Sequence, residues 1–235
     1  MKLRDIEAKS APALLEWALA SYGDRFAIAT SFQKTGMVLV DMAARVGLPF
    51  RVFTLDTGRL PEETHRMAAT LCERYGVRVE MVTPDVAEVE DMVKQHGPDL
   101  FYDGMEFRQL CCETRKVRPL ARKLRELDAW ATGLRRDQAE TRTAVQKVAE
   151  VDGRIKLSPL ADWTAGRVEQ YIREHGVPVH PLYALGYESI GCAPCTRPVE
   201  PGEDQRAGRW WWERSAKKEC GIHFAPDGSV ERATH

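Results

Sequence analysis

The stretch FAIATSFQKTGMVLV, residues 26–40, contains the pattern that decides the fold. Its first residues, 26–30, form an apolar run that predicts a buried strand. A polar loop follows, and the apolar residues of 37–46 then recur at helical spacing before Gly47, which predicts a helix closed by that glycine. A strand, a loop and a helix in this order are typical of a parallel α/β sheet.

The alternation of strand and helix patterns continues outward from this stretch. We expect further strands over 50–56, 77–83 and 129–133, and helices over 61–75, 86–95, 107–127 and 163–174. Pro119 should kink or divide the helix that contains it. The order predicts a doubly wound, mainly parallel α/β sheet, with a ligand at the carboxyl ends of the strands where the chain connections diverge. Prolines and glycines crowd together from Gly176 onward and predict an irregular, partly mobile C-terminal tail.

The composition excludes several classes of protein. The 235 residues are 43% hydrophobic and 29% charged, which suits one globular domain with a functional tail. Lys plus Arg number 34 against 35 Asp plus Glu, so a net charge of −1 argues against binding nucleic acid by bulk electrostatics. No apolar run approaches the roughly 18 residues of a membrane span, and the N-terminus lacks a signal-peptide pattern. We therefore expect a cytoplasmic protein without membrane contact.

Three loops at predicted strand ends carry groups that suit an anionic ligand. Residues 31–36 lie between a strand and a helix, where backbone N–H groups and the helix dipole favour a phosphate. Residues 55–58 could offer a carboxylate to a ribose, and 133–138 contain adjacent guanidinium groups. The ordinary alternatives are a helix cap, a simple turn and a solvated basic patch. With two arginines of the tail, the candidate binding residues are Ser31, Phe32, Gln33, Thr35, Gly36, Leu55, Asp56, Thr57, Gly58, Arg135, Arg136, Gln138, Arg206 and Arg209.

Four of the six cysteines form two pairs, Cys111 with Cys112 and Cys192 with Cys195. Structural disulfides are unexpected in the cytoplasm, so these pairs indicate metal ligands or reactive thiols. Four thiolates are the ligand count of a cubane iron-sulfur cluster. Zinc sites usually separate paired cysteines by two to four residues, so the spacing favours iron-sulfur, with zinc and reduced buried thiols as the alternatives.

Lys116 lies one helical turn beyond Cys112, where its ammonium group could approach an anionic cluster. A solvated lysine is the ordinary alternative. The remaining tail cysteine, Cys220, has Lys217, Lys218 and His223 close in sequence, which would lower the pKa of its thiol and favour a nucleophile. Glu219 acts in the opposite direction, and a lone cysteine in a tail is often incidental. We interpret Cys72 as a small buried hydrophobic residue.

Seven motifs occur along almost the whole chain: SFQKTG at 31–36, LDTG at 55–58, CCETRK at 111–116, GLRRDQ at 133–138, CAPC at 192–195, RAGRWWWE at 206–213 and KKECGIH at 217–223. In this order they resemble the assimilatory, thioredoxin-dependent adenylyl-sulfate and phosphoadenylyl-sulfate reductases. The resemblance implies an adenine-nucleotide alpha-hydrolase-like fold. It also implies a [4Fe-4S] cluster on the two cysteine pairs and Cys220 as the nucleophile.

The resemblance further implies a substrate and a reaction. Members that carry both cysteine pairs generally prefer adenylyl sulfate, with its 3′-phosphorylated form or both nucleotides as the alternative. Catalytic roles fall to Cys220, Lys116 and His223. The thiolate attacks the sulfate sulfur, AMP leaves, and reduced thioredoxin releases sulfite from the resulting S-sulfocysteine. The family also implies a homo-oligomer.

We accordingly divide the chain into a nucleotide-binding α/β domain, 1–190, which includes the first cysteine pair, and a segment, 191–235, which includes the second pair and the catalytic tail. The second segment is not an independent domain. An ATP-dependent sulfur-transfer enzyme is a more distant alternative, but the loop at 31–36 lacks the paired glycines and the aspartate of that class. An iron-sulfur redox sensor is the non-enzymatic alternative, and no basic recognition helix supports it.

Overall fold

A computed structural model describes residues 3–139 and 142–213 of the chain. Its strands form one six-stranded sheet in the order β3-β2-β1-β4-β6-β5. The strands are β1 (Phe26–Ala29), β2 (Arg51–Leu55), β3 (Val79–Val82), β4 (Ala129–Thr132), β5 (Val148–Val151) and β6 (Arg154–Leu157). Every neighbouring pair is parallel except β5 and β6, which form an antiparallel hairpin. The predicted doubly wound, mainly parallel sheet is confirmed.

Helices cover both faces of this sheet. They are α1 (Leu3–Glu7), α2 (Ala11–Tyr22), α3 (Lys34–Val46), α4 (Glu62–Tyr75), α5 (Val86–His96), α6 (Met105–Cys112), α7 (Arg118–Leu124) and α8 (Ala165–His175). The larger hydrophobic core packs α2, α3 and α8 against one face, and a smaller core packs α7 against the other. None of the helices within residues 3–139 and 142–213 combines the length and the apolar character that crossing a bilayer requires.

The predicted long helix around Pro119 is divided into three parts. A π-helical turn, Glu113–Val117, lies between α6 and α7 and ends two residues before the proline. Pro119 is the second residue of α7, where its missing N–H is tolerated, and its ring crowds the turn before it, which is the turn that departs from regular α-helical bonding. The π-turn follows directly after Cys111 and Cys112 and changes the direction in which the next side chains project.

Two expectations about burial need correction. Cys72 is exposed on α4, because it faces away from its buried neighbour Leu71. The chain after Gly176 is irregular as predicted, but its described part, up to Glu213, packs closely: Leu182, Trp210 and other side chains there are buried. Residues 214–235 lie outside the described part of the chain.

The connections diverge between β1 and β4. The chain passes from β1 to β2 and β3 on one side, then crosses to β4 on the other side of β1. The loops after β1 and β4 approach each other closely at Gly133, where a Cβ would lie 2.6 Å from Thr35 Oγ1 and 2.9 Å from the Gly36 nitrogen. Only glycine fits there, and the resulting crevice is the usual ligand position in an open α/β sheet.

Candidate active site

A cavity of about 400 Å³ opens at this divergence point. It lies at the carboxyl ends of β1, β2 and β4 and is closed from above by irregular segments at 188–191 and 205–209. Seven cationic side chains line it: Lys34, Lys116, Arg135, Arg142, Lys156, Arg206 and Arg209. The acidic side chains of its described lining are Glu169 and Glu188, so positive charge predominates. A cavity of this size and charge suits a small anionic ligand.

The loop after β1 is held in an unusual conformation. Phe32 has a positive φ of 56°, which is uncommon for a bulky residue, and its N–H donates to Thr30 Oγ1 over 2.9 Å. Its ring is fully buried in the larger core, so Phe32 supports the loop from below and does not line the cavity. This arrangement brings Ser31, Gln33, Thr35 and Gly36 to the cavity wall, at the N-terminus of α3.

The helix start at α3 is suited to an anion. The first N–H groups of any helix have no partner within the helix. Here the Lys34 N–H meets Tyr183 Oη at 3.4 Å, and no side-chain cap is formed by Gln33. The Gln33 amide instead accepts from the Ile190 N–H over 3.2 Å, which ties the loop to the segment that closes the cavity. Thr35 and Gly36, the next residues of this first turn, line the cavity and are placed to offer their backbone N–H groups to an anion.

The loop after β2 reaches the cavity only in part. Leu55 and Thr57 line it, whereas Asp56 and Gly58 do not. The Asp56 carboxylate accepts from the Gly58 N–H over 2.9 Å and contacts His65 Nε2 at 3.1 Å. It therefore stabilises the turn.

The two arginines after β4 point in different directions. Arg135 is buried at the cavity wall, where its Nε donates to Asp137 over 2.8 Å, and Asp137 also accepts from the Ala165 N–H at the start of α8. Arg136 does not line the cavity, because its Nε donates to the Val145 carbonyl over 2.8 Å.

Gln138 does line the cavity, and its side-chain oxygen accepts from the Arg135 N–H and from Arg142. The ends of this loop are thus fixed by hydrogen bonds.

Arg206 and Arg209 reach the cavity from the closing segment. The Arg209 side chain is buried, lies 4.7 Å from the Trp210 ring centroid and contacts Ser189 Oγ at 3.4 Å. A Cβ on Gly191 would lie 2.4 Å from this guanidinium group, so a side chain at 191 would displace the end of Arg209. The Arg209 Nε is buried without a hydrogen-bond partner in the described structure, while the residue itself lines the cavity.

Three of the lining cations, Lys34, Arg142 and Lys156, were not anticipated from sequence. Lys156 lies on β6 beside Trp130 of β4, and burial, assisted by Arg142, lowers the pKa of its ammonium group to about 8. A lone lysine in an unrecognised strand gives no signal of this kind.

The four paired cysteines come together beside the main cavity. Cys111 and Cys112 end α6, while Cys192 and Cys195 flank a short 3₁₀ turn, and all four are buried. The Ala193 N–H donates to the Arg59 carbonyl over 2.8 Å, and the Trp210 N–H donates to the Cys195 carbonyl over 3.1 Å. These bonds fix the second pair to its neighbouring segments, and all four cysteines line one small pocket.

Positive charge surrounds the cysteine pocket. Burial raises the pKa of the Cys111 thiol and raises that of Cys195 to about 12, whereas neighbouring cations act in the opposite direction. The cations of the pocket lining are Arg59, Arg108, Arg115 and Lys116. Burial alone disfavours the thiolate form of these cysteines. A metal group bound by all four would stabilise the thiolates, and the surrounding cations would add to that stabilisation.

Buried donors also lack acceptors here. The Nε of Arg115 and the indole N–H groups of Trp210 and Trp212 have no hydrogen-bond partner within the described structure, and all three residues pack around the cysteines. No three His, Cys, Asp or Glu side chains within 3–139 and 142–213 are placed to hold a single metal ion. Four buried thiols surrounded by cations and by unpartnered N–H donors suit a group that is bound by four thiolates, such as a cubane iron-sulfur cluster.

Two residues connect the cysteine pocket to the main cavity. Lys116 lines both spaces. Thr57 lines the main cavity, and its hydroxyl lies 3.2 Å from Cys192 Sγ. Cys220 and His223 lie outside the described residues, as does the rest of 214–235.

This geometry agrees with the comparisons to known proteins. The model of the phosphoadenosine phosphosulfate reductase domain matches residues 25–198. The chain belongs to the phosphoadenosine phosphosulfate reductase family. The family predicted from the seven motifs, and its class of sulfur-acting oxidoreductases, are confirmed.

Individual members of the reductase family resemble the chain over most of its length. It is 47% identical to an adenosine 5′-phosphosulfate reductase of Allochromatium vinosum over 86% of this chain and 81% of the relative. It is 42% identical to a probable chloroplastic 5′-adenylylsulfate reductase 1 of Oryza sativa subsp. japonica over 94% of this chain, but it spans only 48% of that longer relative.

Solved structures confirm the fold. A phosphoadenylyl-sulfate reductase from Candida auris, in a phosphate complex, has a TM-score of 0.69 and 27% identity and covers 85% of this chain and 98% of its own. A yeast FAD synthetase has a TM-score of 0.54 and 14% identity, over 83% of this chain and 72% of its own, and shares the fold alone. The adenine-nucleotide alpha-hydrolase-like architecture expected from the resemblance is confirmed.

Proposed function

We propose that this chain reduces adenylyl sulfate to sulfite and AMP, as a step of assimilatory sulfate reduction and cysteine biosynthesis. The observation that carries the proposal is a cationic cavity at the β1–β4 divergence point that shares Lys116 with a buried pocket of four cysteines. The bacterial and plant relatives, which are adenosine 5′-phosphosulfate and 5′-adenylylsulfate reductases, support the same reaction. They favour it over a sulfur-transfer enzyme or a redox sensor.

Binding falls to groups already at the cavity wall. The first turn of α3 offers backbone donors, and Arg135, Arg206 and Arg209 offer charge-assisted hydrogen bonds to phosphate and sulfate oxygens. Because the Arg135 and Arg209 side chains are buried, their contacts with ligand oxygens are screened less by water than contacts at an exposed surface would be.

The chemical step is assigned to Cys220 as a thiolate, with His223 and the neighbouring lysines favouring that charge state. The sulfur of Cys220 attacks the sulfate sulfur, and the bond from that sulfur to the bridging phosphate oxygen breaks. AMP leaves with the electron pair, and Cys220 carries the sulfonate. A thiolate of reduced thioredoxin then displaces sulfite and forms a mixed disulfide. The second thioredoxin thiol resolves the disulfide, so that the thioredoxin dithiol supplies both electrons and Cys220 is regenerated.

Cys111, Cys112, Cys192 and Cys195 would hold a [4Fe-4S] cluster in this proposal. When bound, the cluster would shape the pocket wall and supply a fixed charge next to it. Lys116 would direct its positive charge to the cavity side, where negative charge moves to the leaving phosphate. We also retain a cytoplasmic location and a homo-oligomer as proposals.

A second substrate candidate follows from the unanticipated cations. Arg142 and Lys156 add positive charge to that of Arg135, Arg206 and Arg209, whereas the Lys34 ammonium is paired with Glu169 at 2.5 Å. Phosphoadenylyl sulfate, or both nucleotides, is therefore the alternative.

The test is sulfite release by anaerobically purified protein with reduced thioredoxin, with each nucleotide supplied in turn. We expect a higher kcat/KM with adenylyl sulfate. With thioredoxin omitted, peptide mass analysis should find a sulfonate on Cys220, and reduced thioredoxin should remove it. Absence of sulfite with both nucleotides, or an adduct on Cys72, would refute the proposal.

A further inference from the structure

A group of exposed aromatic and apolar side chains lies on the described surface beside the cysteine pocket. Tyr102, Met105 and Trp211 are 45%, 43% and 49% exposed. The half-buried Trp212 connects Tyr102 and Trp211, since its ring centroid lies 4.5 Å from that of Tyr102 and 5.7 Å from that of Trp211. We call these four residues the aromatic patch. Large apolar side chains gathered on a surface commonly mark a site of protein contact.

The aromatic patch is fixed to the wall of the cysteine pocket. The Tyr102 hydroxyl donates to the carbonyl of Pro194, which lies between the two cysteines of the second pair, over 3.2 Å. Phe101 packs against Tyr102 and Trp212 with ring centroids 4.5 and 6.1 Å apart, and it belongs to the same hydrophobic cluster as the four cysteines. A rigid aromatic surface loses little side-chain entropy when a partner covers it.

The described chain ends next to the aromatic patch at Glu213, an anchor point that is held in place by an ion pair. Glu213 forms a buried ion pair with Arg108 of α6, with Nε to Oε1 at 2.8 Å and side chains 7% and 3% exposed. Cys220 follows Glu213 by seven residues. At about 3.3–3.6 Å per residue, its sulfur can lie no farther than roughly 25 Å from this anchor. A protein that reaches that sulfur therefore binds within about this distance of the anchor, and the aromatic patch lies inside that range.

We infer that the aromatic patch is the docking surface for the dithiol protein that reduces the S-sulfocysteine at Cys220. The inference rests on the proposed function. The exposed carboxylates Asp103 and Glu106 border the apolar residues, and an apolar centre with a polar rim is the usual composition of a protein interface. Exposed tryptophan and tyrosine are the residues that most often carry the binding free energy of such an interface.

The test compares Trp211→Glu with the matched control Leu48→Glu. Leu48 is 40% exposed but lies in the turn that enters β2, at the opposite end of the sheet. Both variants place a charge at an exposed apolar position, so a general effect on folding should be similar. Three quantities are measured: the KM for reduced thioredoxin, the rate of Cys220 sulfonate formation without thioredoxin, and sulfite release with dithiothreitol as reductant.

We expect Trp211→Glu to raise the thioredoxin KM about ten-fold or more, with the other two rates close to those of the unaltered protein. Leu48→Glu should change none of the three. An unchanged thioredoxin KM in Trp211→Glu would overturn the inference. An equal loss of adduct formation, or a change in subunit number on gel filtration, would also overturn it, because the patch would then serve the substrate site or a second copy. If the unaltered protein forms no adduct, the proposed function itself fails.

Discussion

Lys116 borders both the main cavity and the cysteine pocket. Its replacement should therefore lower the rate of the proposed reaction more than the stability of the fold. We expect Lys116→Ala to lower kcat by about 100-fold, the effect of losing one donor that stabilises developing charge. Iron content and the melting temperature should remain close to their original values. Lys94→Ala, at an exposed position of α5, is the control. Unchanged turnover, or loss of the iron, would contradict this role.

We expect opposite effects from replacing Arg209 and Arg136, because only Arg209 lines the cavity. Arg209→Ala should weaken nucleotide binding by about ten-fold or more, because a hydrogen bond to a charged group contributes roughly 1.5–3 kcal/mol. Arg136→Ala should instead act mainly on stability, through the lost bond to the Val145 carbonyl. Isothermal titration with AMP and thermal melting of both variants separate the two effects. Equal losses of affinity would contradict the assignment.

Because of His180, we expect the free energy of unfolding to fall at acidic pH. Its Nδ1 accepts from the Leu182 N–H over 3.3 Å, its Nε2 lies 3.0 Å from Thr64 Oγ1, and burial lowers the pKa of the ring although Glu63 opposes the shift. The unfolded chain then binds more protons than the folded chain at low pH. Stability is therefore fully present above the unfolded pKa near 6.5 and is lost as the pH falls toward the folded pKa.

Urea unfolding at pH 7.5 and pH 5.5 measures this loss. His180→Gln should be less stable at pH 7.5 but should lose less stability on acidification than the unaltered protein. An identical pH dependence in the two proteins would exclude His180 as the sensitive group.

At the level of helices and strands, long periodic or strongly apolar segments were predicted to within a few residues, as for β1, β2 and α3. The β5–β6 hairpin was missed because Arg154 and Lys156 interrupt its apolar residues, which leaves no continuous buried run. Helix α2 was also missed, although Ser10 accepts a hydrogen bond from the Ala13 N–H at its start. Its buried residues belong to the larger core, so tertiary packing stabilises it.

The contact between the β1 and β4 loops can be tested at Gly133. Gly133→Ala would place a Cβ against Thr35 and the Gly36 backbone, so we expect a loss of about 1–3 kcal/mol in unfolding free energy together with weaker nucleotide binding. Gly166→Ala is the control, because its Cβ would meet nothing closer than 3.9 Å in the first turn of α8. Gly166→Ala should be neutral or slightly stabilising. Denaturant unfolding and AMP titration measure both variants, and tight AMP binding by Gly133→Ala would refute the close approach.

At the scale of the whole molecule, the cysteine pocket joins α6 to a segment 80 residues later in the chain. Cys192→Ser should lose the bound iron, since four thiolates are needed for the cluster, whereas exposed Cys72→Ser should retain it. Iron analysis and the visible absorption spectrum of anaerobically purified protein decide the matter. Iron retained in Cys192→Ser, or stoichiometric zinc in the unaltered protein, would remove the cluster from the proposal.

The sequence predicted those parts of the candidate site that depend on local motifs. Paired cysteines and Lys116 could be recognised because their residue types and spacing suggest one chemistry. The direction in which a side chain points could not be predicted from the sequence. The Asp56 carboxylate accepts a hydrogen bond within its own loop, and Arg136 donates to the Val145 carbonyl. Lys156 enters the site only through the pairing of β6 with β4, which no short window of sequence contains.

The ion pair between Arg108 and Glu213 attaches the end of the described chain to α6, the helix that carries the first cysteine pair. Arg108 lies one turn before Cys111 on α6. One helix therefore carries the thiols of Cys111 and Cys112 and also holds Glu213, after which the last 22 residues follow. Under the proposed function, any change that displaced α6 would therefore also shift the point from which the segment bearing Cys220 departs, although the Cys220 thiol itself would be unaltered.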